Sequence, residues 1–170
     1  MKRLVENKAF VTCTPLSDRK IDEQYRLELI TRYIVAKNFD SLNLIKSYSE
    51  LSELLDDGII TICKNSLFDI EMEEQLFVKI FETLEKCMGE DAFKAYRNDK
   101  FSGAVLSSTF LATTIGLARN IHNLTEEMIV EKIKKLYTEE GFTCFTGNGI
   151  RPVQRFTGLT KFGSEYFGNK

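Results

Sequence analysis

The segment from Gly103 to Ile121 carries apolar or small side chains on almost every face. Its apolar residues are Ala104, Val105, Leu106, Phe110, Leu111, Ile115, Leu117, Ala118 and Ile121. Its small residues are Ser107, Ser108, Ala112 and Gly116. A helix without a polar face belongs at the centre of a core. Since small side chains allow close approach, the segment predicts a central helix on which neighbouring helices pack.

The rest of the composition predicts one all-α domain over residues 1–170. No apolar run reaches the roughly 18–20 residues that span a bilayer, so no membrane association is expected. The positively charged start, residues 1–8, is followed by no apolar core of a secretory signal. Only 2 Pro and 10 Gly leave little material for the turns of a β-sandwich. We expect a cytoplasmic, compact bundle of about six helices around the central one.

Helix caps and apolar periodicity place the other elements. We predict helices from Arg19 to Lys37, from near Ser47–Ser49 to Ile62, from an Asp69 cap to Gly89, over Asp91–Tyr96, from a Thr125 cap to Gly141, and from Pro152 to Phe167. The run Ile59–Ile62 could also form a short strand after the Asp57-Gly58 turn, but it has no comparable partner strand nearby. Phe142–Phe145 is predicted as an irregular or extended link, and Thr146–Gly149 as a flexible loop.

The four cysteines, Cys13, Cys63, Cys87 and Cys144, lack the spacing of metal ligands or of a disulfide framework. We therefore predict buried or half-buried thiols in a reducing compartment, with Cys144 in the core between two phenylalanines. His122, the only histidine, is predicted to stabilise the end of the central helix through its terminal carbonyl groups. Neither a metal nor a cofactor is expected.

Charge is distributed unevenly along a chain whose formal net charge is −2. Residues 1–47 have a net charge of +3, residues 48–93 of −9, and residues 94–170 of +4. The overall balance excludes nucleic-acid binding through bulk positive charge. The acidic middle predicts an acidic face on the central part of the bundle, either simply solvated or used to dock a basic partner.

No established catalytic motif occurs in the sequence. A Walker-type phosphate loop, His-Glu-x-x-His, Gly-x-Ser-x-Gly and Gly-x-Gly-x-x-Gly are all absent. Paired acids such as Glu73-Glu74 are adjacent in sequence and do not face each other on a helix. We therefore expect no enzyme; the remaining alternative is an unrecognised site around His122.

Two groups of basic residues are candidates for binding phosphate or nucleic acid. The first, on the opening helix, is Arg19, Lys20, Arg26 and Arg32; the second combines Gly147-Asn148-Gly149 with Arg151 and Arg155. Free amide groups at a helix start can hold a phosphate beside such guanidinium groups. The candidate site residues are Arg151, Arg155, Asn148, Arg119, Arg26 and Arg32. The alternative is that these cations pair internally with the acidic middle.

Several short motifs resemble the GmrSD-type family of bacterial proteins. The matching segments are residues 15–33, Asp91–Lys94, Phe101–Leu106, and Thr146–Gly149 followed by Arg151 and Arg155. Within the first, Glu28-Leu29-Ile30-Thr31-Arg32-Tyr33 is similar to the family's Glu-Leu-x-x-Arg-Phe. The second resembles Gly-x-x-Ala-Phe-Arg, the third the start of the family's core helix, and the last its closing loop.

Members of that family place a ParB/sulfiredoxin-like domain before their helices and are associated with restriction of, and defence against, foreign DNA. Their Asp-Gly-x-Gln-Arg signature, in the ParB-like part, does not occur in this chain. The resemblance implies that residues 15–167 are a non-catalytic helical domain that supports a ParB-like nuclease or NTPase domain in cis or in trans. The alternative is a stand-alone nucleic-acid-binding or regulatory helical module that uses the basic loop near Arg151.

Overall fold

A computed structural model describes residues 1–44 and 47–168. Over these residues the chain folds as an all-α bundle with one small hairpin. The α-helices of these ranges are α1 Lys2–Val5, α2 Lys8–Cys13, α3 Asp18–Asp22, α4 Tyr25–Lys37, α5 Leu51–Lys64, α6 Ile70–Met88, α7 Ser107–Asn120, α8 Glu126–Lys135, α9 Glu140–Thr146 and α10 Pro152–Gly168. Strand β1 Ala95–Arg97 pairs antiparallel with β2 Lys100–Ser102. Single 3-10 turns cover Phe39–Ser41, Gly89–Asp91, Ile121–Asn123 and Leu136–Thr138. The predicted fold class is confirmed.

Helix α7 lies at the centre, as its apolar sequence predicts, and contacts α4, α6 and α10. Every residue from Thr109 to Leu117 is buried. The helix begins at Ser107 rather than at Gly103, because Gly103 adopts a φ of +89° after the hairpin. Although α7 is buried along most of its length, no helix in the two described ranges is long and apolar enough to cross a membrane.

Helices α7 and α10 run parallel and touch through glycine. A Cβ atom at Gly163 would lie 2.2 Å from the carbonyl oxygen of Ala112, and one at Gly116 would lie 2.8 Å from the carbonyl oxygen of Gly163. Further along, Asn120 Nδ2 donates to the carbonyl oxygen of Ser164 at 3.2 Å. Because no side chain separates the two backbones at the crossing, their relative position is tightly constrained.

A cluster of phenylalanine rings forms the core between α2, α6 and α7. Phe10 lies 5.4 Å from Phe77, 4.9 Å from Phe81 and 6.5 Å from Phe110, measured between ring centroids. Phe93 lies 5.0 Å from Phe110, and all five side chains are fully buried. Such ring pairs add about 0.5–1.5 kcal/mol each to the stabilisation from burial. The cluster anchors α2, for which the sequence predicts no element.

The predicted caps are confirmed where helices begin and end as expected. Asp69 Oδ1 accepts a hydrogen bond from the amide of Met72 at 2.9 Å at the start of α6. Thr125 Oγ1 accepts one from an amide of α8 at 3.3 Å. Gly89, at a φ of 53°, ends α6, and Pro152 is the first residue of α10. These positions satisfy amide and carbonyl groups that helix ends leave open.

The opening helix is divided in two, and the second helix begins at Leu51 rather than near Ser47–Ser49. The predicted helix from Arg19 to Lys37 is interrupted at Gln24, whose φ of 54° is left-handed, so α3 and α4 are separate. The alternative of a strand at Ile59–Ile62 is wrong, since these residues continue α5. Gly58 lies within α5, where a Cβ atom would meet Val35 Cγ1 at 2.7 Å. That glycine lets α5 pack closely against α4.

The predicted short helix over Asp91–Tyr96 is wrong. A single 3-10 turn ends at Asp91, and strand β1 then pairs with β2 so that Tyr96 faces Phe101. Asn98 and Asp99 form the connecting turn at φ values of 51° and 58°. Positive φ at both central residues suits a tight hairpin turn, and Asn and Asp tolerate it better than most residues. Local turn geometry therefore overrides the helical pattern.

The predicted extended link at Phe142–Phe145 is also wrong, because these residues belong to α9. Gly141, predicted to end the preceding helix, lies inside α9 instead. A Cβ atom there would lie 2.7 Å from Cδ2 of Phe162 on α10. The glycine is therefore needed for contact between helices and does not act as a helix terminator.

Substitution of Gly163 by alanine is expected to lower the free energy of unfolding by about 1–3 kcal/mol, because the new methyl group overpacks the crossing of α7 and α10. The control is Gly147→Ala, since the nearest atom to a Cβ there is 3.9 Å away. We expect the control to change stability by less than about 0.5 kcal/mol. Urea unfolding followed by circular dichroism measures both, and equal stability of the two variants would contradict the glycine contact.

Candidate anion-binding site

A cavity of about 200 Å³ lies where the first turns of α5, α7 and α10 meet. Leu51, Ser107 and Pro152, the first residues of these helices, all line it. Its other lining residues are Arg32, Ser108, Leu111, Arg155, Phe156 and Leu159. Each helix start carries a partial positive charge of about half an elementary charge. Three helix starts and two arginines favour an anion in this space, which we call the basic cavity.

Arg32 reaches the basic cavity from α4 and is held in place by Glu28, one turn earlier. Its Nε and Nη2 atoms donate to Glu28 Oε1 at 2.9 and 2.6 Å. The Arg32 side chain is 21% exposed, so it is restricted by its surroundings as well as by this pair. Glu28 therefore orients the guanidinium group and offsets part of its charge.

Arg155 lines the basic cavity and also closes the end of α9. Its Nε atom donates to the carbonyl oxygen of Phe145 at 3.0 Å, and Nη2 donates to that of Gly147 at 3.1 Å. A cation at a helix carboxyl end is stabilised by the partial negative charge there. Arg155 consequently fixes the loop between α9 and α10 while placing positive charge beside the start of α10.

Arg151 and Asn148 lie in that loop and are exposed. Arg151 immediately precedes Pro152, the first residue of α10. Its side chain makes no ion pair or hydrogen bond with the described part of the chain, so its donors are available to a ligand. Of the six predicted candidates, the structure brings Arg32 and Arg155 together at the basic cavity and leaves Arg151 and Asn148 next to it in the chain.

The other two candidates are used elsewhere in the fold. Arg26 donates from Nε to Thr14 Oγ1 at 3.2 Å and from Nη2 to the Thr14 carbonyl oxygen at 2.9 Å, which ties the end of α2 to α4. Burial lowers the pKa of the Arg26 guanidinium. Arg119 forms an ion pair with Asp40 at 2.8 Å beside a separate cavity of about 530 Å³. Neither residue lines the basic cavity.

Ser107 and Ser108 are site residues that the sequence does not predict. A central helix that begins at Gly103, as predicted, has both serines in its interior. A start at Ser107 would have exposed their amide groups as possible ligands. The presence of Arg32 and Arg155 at one cavity has no signal in the sequence, because the two residues belong to different helices.

Two of the four cysteines differ from the prediction. Cys63 and Cys144 are exposed, whereas Cys13 is buried and Cys87 is half-buried. The predicted core position of Cys144 is wrong because α9 is helical and turns Phe142 inward instead. Desolvation by burial raises the pKa of Cys13 to about 12 and that of Cys87 to about 11. Both thiols are therefore almost entirely protonated at neutral pH and react slowly as nucleophiles.

His122 lies in the 3-10 turn that follows α7 and is exposed. Its Nδ1 atom is 3.2 Å from Nζ of Lys79 on α6. In residues 1–44 and 47–168, no group of three His, Cys, Asp or Glu side chains is arranged to hold a metal ion. The polar neighbour of the His122 ring is thus a lysine of another helix, Lys79.

Comparison of this chain with protein-family models, with curated proteins and with solved structures finds no match. The likeness to the GmrSD-type family therefore stays a prediction that rests on its short motifs. One of those motifs, Phe101–Leu106, lies in β2 and the turn before α7 rather than within a helix.

A thiol reagent at neutral pH is expected to modify Cys63 and Cys144 quickly and Cys13 and Cys87 slowly. The raised pKa of Cys87, about 11 against an ordinary 9.0, lowers its thiolate fraction by about a hundredfold, and burial restricts access as well. Mass spectrometry of the time course distinguishes the four sites, and denaturant should make them equivalent. Rapid labelling of Cys13 in the folded protein would contradict the packing of α2.

Proposed function

We propose that this protein binds nucleic acid through backbone phosphates at the basic cavity, without catalysing a reaction. The observation that carries the proposal is the meeting of the starts of α5, α7 and α10 with Arg32 and Arg155 at one cavity. Phosphate contacts are made by arginines, hydroxyl groups and helix starts, and all three are present here. The two serines, Ser107 and Ser108, supply the hydroxyl groups.

The charge distribution supports a local contact rather than a broad basic surface. The chain has a formal net charge of −2, but residues 94–170 carry 11 basic and 7 acidic side chains. The ion pairs of Arg32 and Arg119 are made with Glu28 and Asp40, outside the acidic stretch 48–93. Because only a few arginines contact phosphate in this arrangement, we expect weak nonspecific binding of DNA. Its dissociation constant should lie near the weak end of about 10⁻⁴–10⁻⁶ M at physiological salt.

Replacement of Arg151 by alanine is expected to weaken binding to a fluorescein-labelled DNA duplex without changing stability, because this side chain has no partner in the described part of the chain. Loss of one phosphate contact lowers the slope of log K against log salt concentration by about 0.9. Fluorescence anisotropy titrations between about 50 and 200 mM salt measure that slope.

The control for this titration is Arg19→Ala, which removes the same charge from α3. Arg19 is exposed, pairs with Glu23 at 2.8 Å and does not line the basic cavity. We expect its salt slope to equal that of the unmodified protein. Identical slopes for Arg151→Ala, Arg19→Ala and the unmodified chain, or no binding by any of them, would overturn the proposal.

A second candidate function is support of a ParB-like nuclease or NTPase domain, in cis or in trans. The observation that favours it is an apolar tip, formed by Leu67, Ile70 and Met72, whose side chains are 89%, 66% and 63% exposed. Large apolar residues this exposed and this close in sequence are typical of protein interaction sites. Asp69 and Glu71 alternate with them, so the tip suits a partner with basic and apolar side chains.

For this second candidate, the double variant Leu67→Ser/Ile70→Ser is expected to lose co-elution with a purified ParB-like domain in size-exclusion chromatography at tens of micromolar. Both side chains are exposed, so the fold should be retained. The matched control is Ile21→Ser on α3, where an isoleucine is 46% exposed away from the tip. Absence of a complex with the unmodified chain, or equal complexes with all three proteins, would contradict this function.

The proposal includes a cytoplasmic location. All four cysteines are free thiols, and two of them, Cys63 and Cys144, are exposed. Exposed unpaired thiols are typical of a reducing compartment. DNA-associated roles such as restriction or defence remain part of the same proposal, since they require access to nucleic acid in that compartment.

A further inference from the structure

A second basic region lies in a groove of about 710 Å³ between the hairpin, α8 and α9. It combines the aromatic rings of Tyr96 and Tyr137 with the cations Arg97, Lys134 and Lys135. We call it the hairpin groove. Aromatic side chains beside basic ones are the two elements by which proteins hold single-stranded nucleic acid.

We infer that the hairpin groove binds a nucleotide unit, with the base against the ring of Tyr96 and the phosphate among Arg97, Lys134 and Lys135. This inference rests on the proposed function, because it adds a base-contacting site to a protein that holds nucleic acid by its phosphates. A nucleotide unit has two possible sources, a single strand or a free nucleotide, and both offer the same base and phosphate.

The ring of Tyr96 is held in a fixed position by the hairpin. Its centroid lies 4.8 Å from that of Phe101, the residue opposite in register, and its hydroxyl donates to Asp99 Oδ1 at 3.4 Å. The ring is half-buried, so part of it is open to the groove. Lys134 Nζ lies over the ring, 5.6 Å from its centroid, so a base that stacks on this face takes the place of the lysine and leaves its ammonium group beside the phosphate.

The cations of the hairpin groove are available to a phosphate. In the described part of the chain Arg97 makes no ion pair or hydrogen bond, and the contact of Lys134 is with the Tyr96 ring alone. Glu131 lies 3.8 Å from Lys135 and so offsets only that lysine. The second carboxylate, Asp99, accepts a hydrogen bond from the Tyr96 hydroxyl and keeps its negative charge. Three cations and two carboxylates line the hairpin groove, so its net charge is +1, and Arg97 and Lys134 have no carboxylate partner among the described residues.

The hairpin groove and the basic cavity are close along the chain. Thr146, the last residue of α9, lines the groove, and Arg151 follows five residues later. Five residues span at most about 18 Å when fully extended. Arg155 holds the intervening loop through the carbonyl oxygens of Phe145 and Gly147. A strand of several nucleotides can therefore contact the groove and the exposed Arg151 together.

The absence of tryptophan from the sequence makes the test direct. In the Tyr96→Trp variant the single indole reports base stacking by fluorescence quenching. A thymidine oligonucleotide of about ten bases should quench it saturably, and Lys134→Ala in the same background should weaken binding at least threefold. Quenching by thymidine monophosphate at equal base concentration would assign the site to free nucleotides; much weaker quenching would assign it to single strands. No quenching by either probe overturns the inference.

Anisotropy with the labelled oligonucleotide separates this inference from the proposed function. Tyr96→Ala should weaken binding about fivefold or more, whereas Tyr96→Phe, which keeps the ring, should bind as the unmodified chain does. If Arg151→Ala weakens binding and Tyr96→Ala does not, the inference that the hairpin groove binds a nucleotide unit is overturned and the proposed function stands. If only Tyr96→Ala weakens binding, the groove stands and the phosphate role of the basic cavity fails. Thermal unfolding of each variant verifies its fold.

Discussion

The contact between the backbones of α7 and α10 is the constraint on which the arrangement of the other elements depends. Gly116 and Gly163 allow α7 and α10 an approach that any side chain would prevent, and a close-packed interior leaves the neighbouring helices little freedom to shift around that pair. Helix α7 is buried along most of its length, so α4, α6 and α10 have to cover it on different sides. The glycines thus determine the register of α10 as well as its distance.

Running parallel has an electrostatic consequence for these two helices. Their positive ends lie together at one side of the molecule, where the start of α5 also arrives. Like partial charges placed together are unfavourable unless an anion or solvent compensates them. In the fold itself, the nearby carboxylate of Glu28 is paired with Arg32 and adds no net negative charge. The packing of the core and the suitability of the basic cavity for phosphate therefore share one origin, the direction in which α10 runs.

What the sequence predicts correctly is local, and what it misses depends on contacts between distant segments. Asp69, Thr125 and Pro152 are recognisable because a cap acts on its own helix within one turn. The break at Gln24 and the tight turn at Asn98 and Asp99 arise from positive φ values at residues that are not glycine, which composition does not mark. Gly141 shows the same limit, because a glycine that ends a helix and a glycine that allows two helices to pack closely look identical in the sequence.

The candidate site likewise combines residues that the sequence predicts with one that tertiary packing brings in, and the packing limits how strongly the site binds. Arg151 and Arg155 are predicted from their position before and within a helix start, but the arrival of Arg32 from α4 is a result of tertiary packing. Packing also uses donors: Arg32 gives two to Glu28 and Arg155 gives two to carbonyl oxygens. These two side chains therefore contribute mainly electrostatic attraction, and of the three arginines at the candidate site Arg151 alone keeps all its donors open within the described part of the chain. Affinity for a phosphate backbone therefore depends on the side chain of Arg151, a residue whose backbone carbonyl accepts a hydrogen bond from the amide of Arg155 at 2.9 Å but whose guanidinium group has no partner in the described part of the chain.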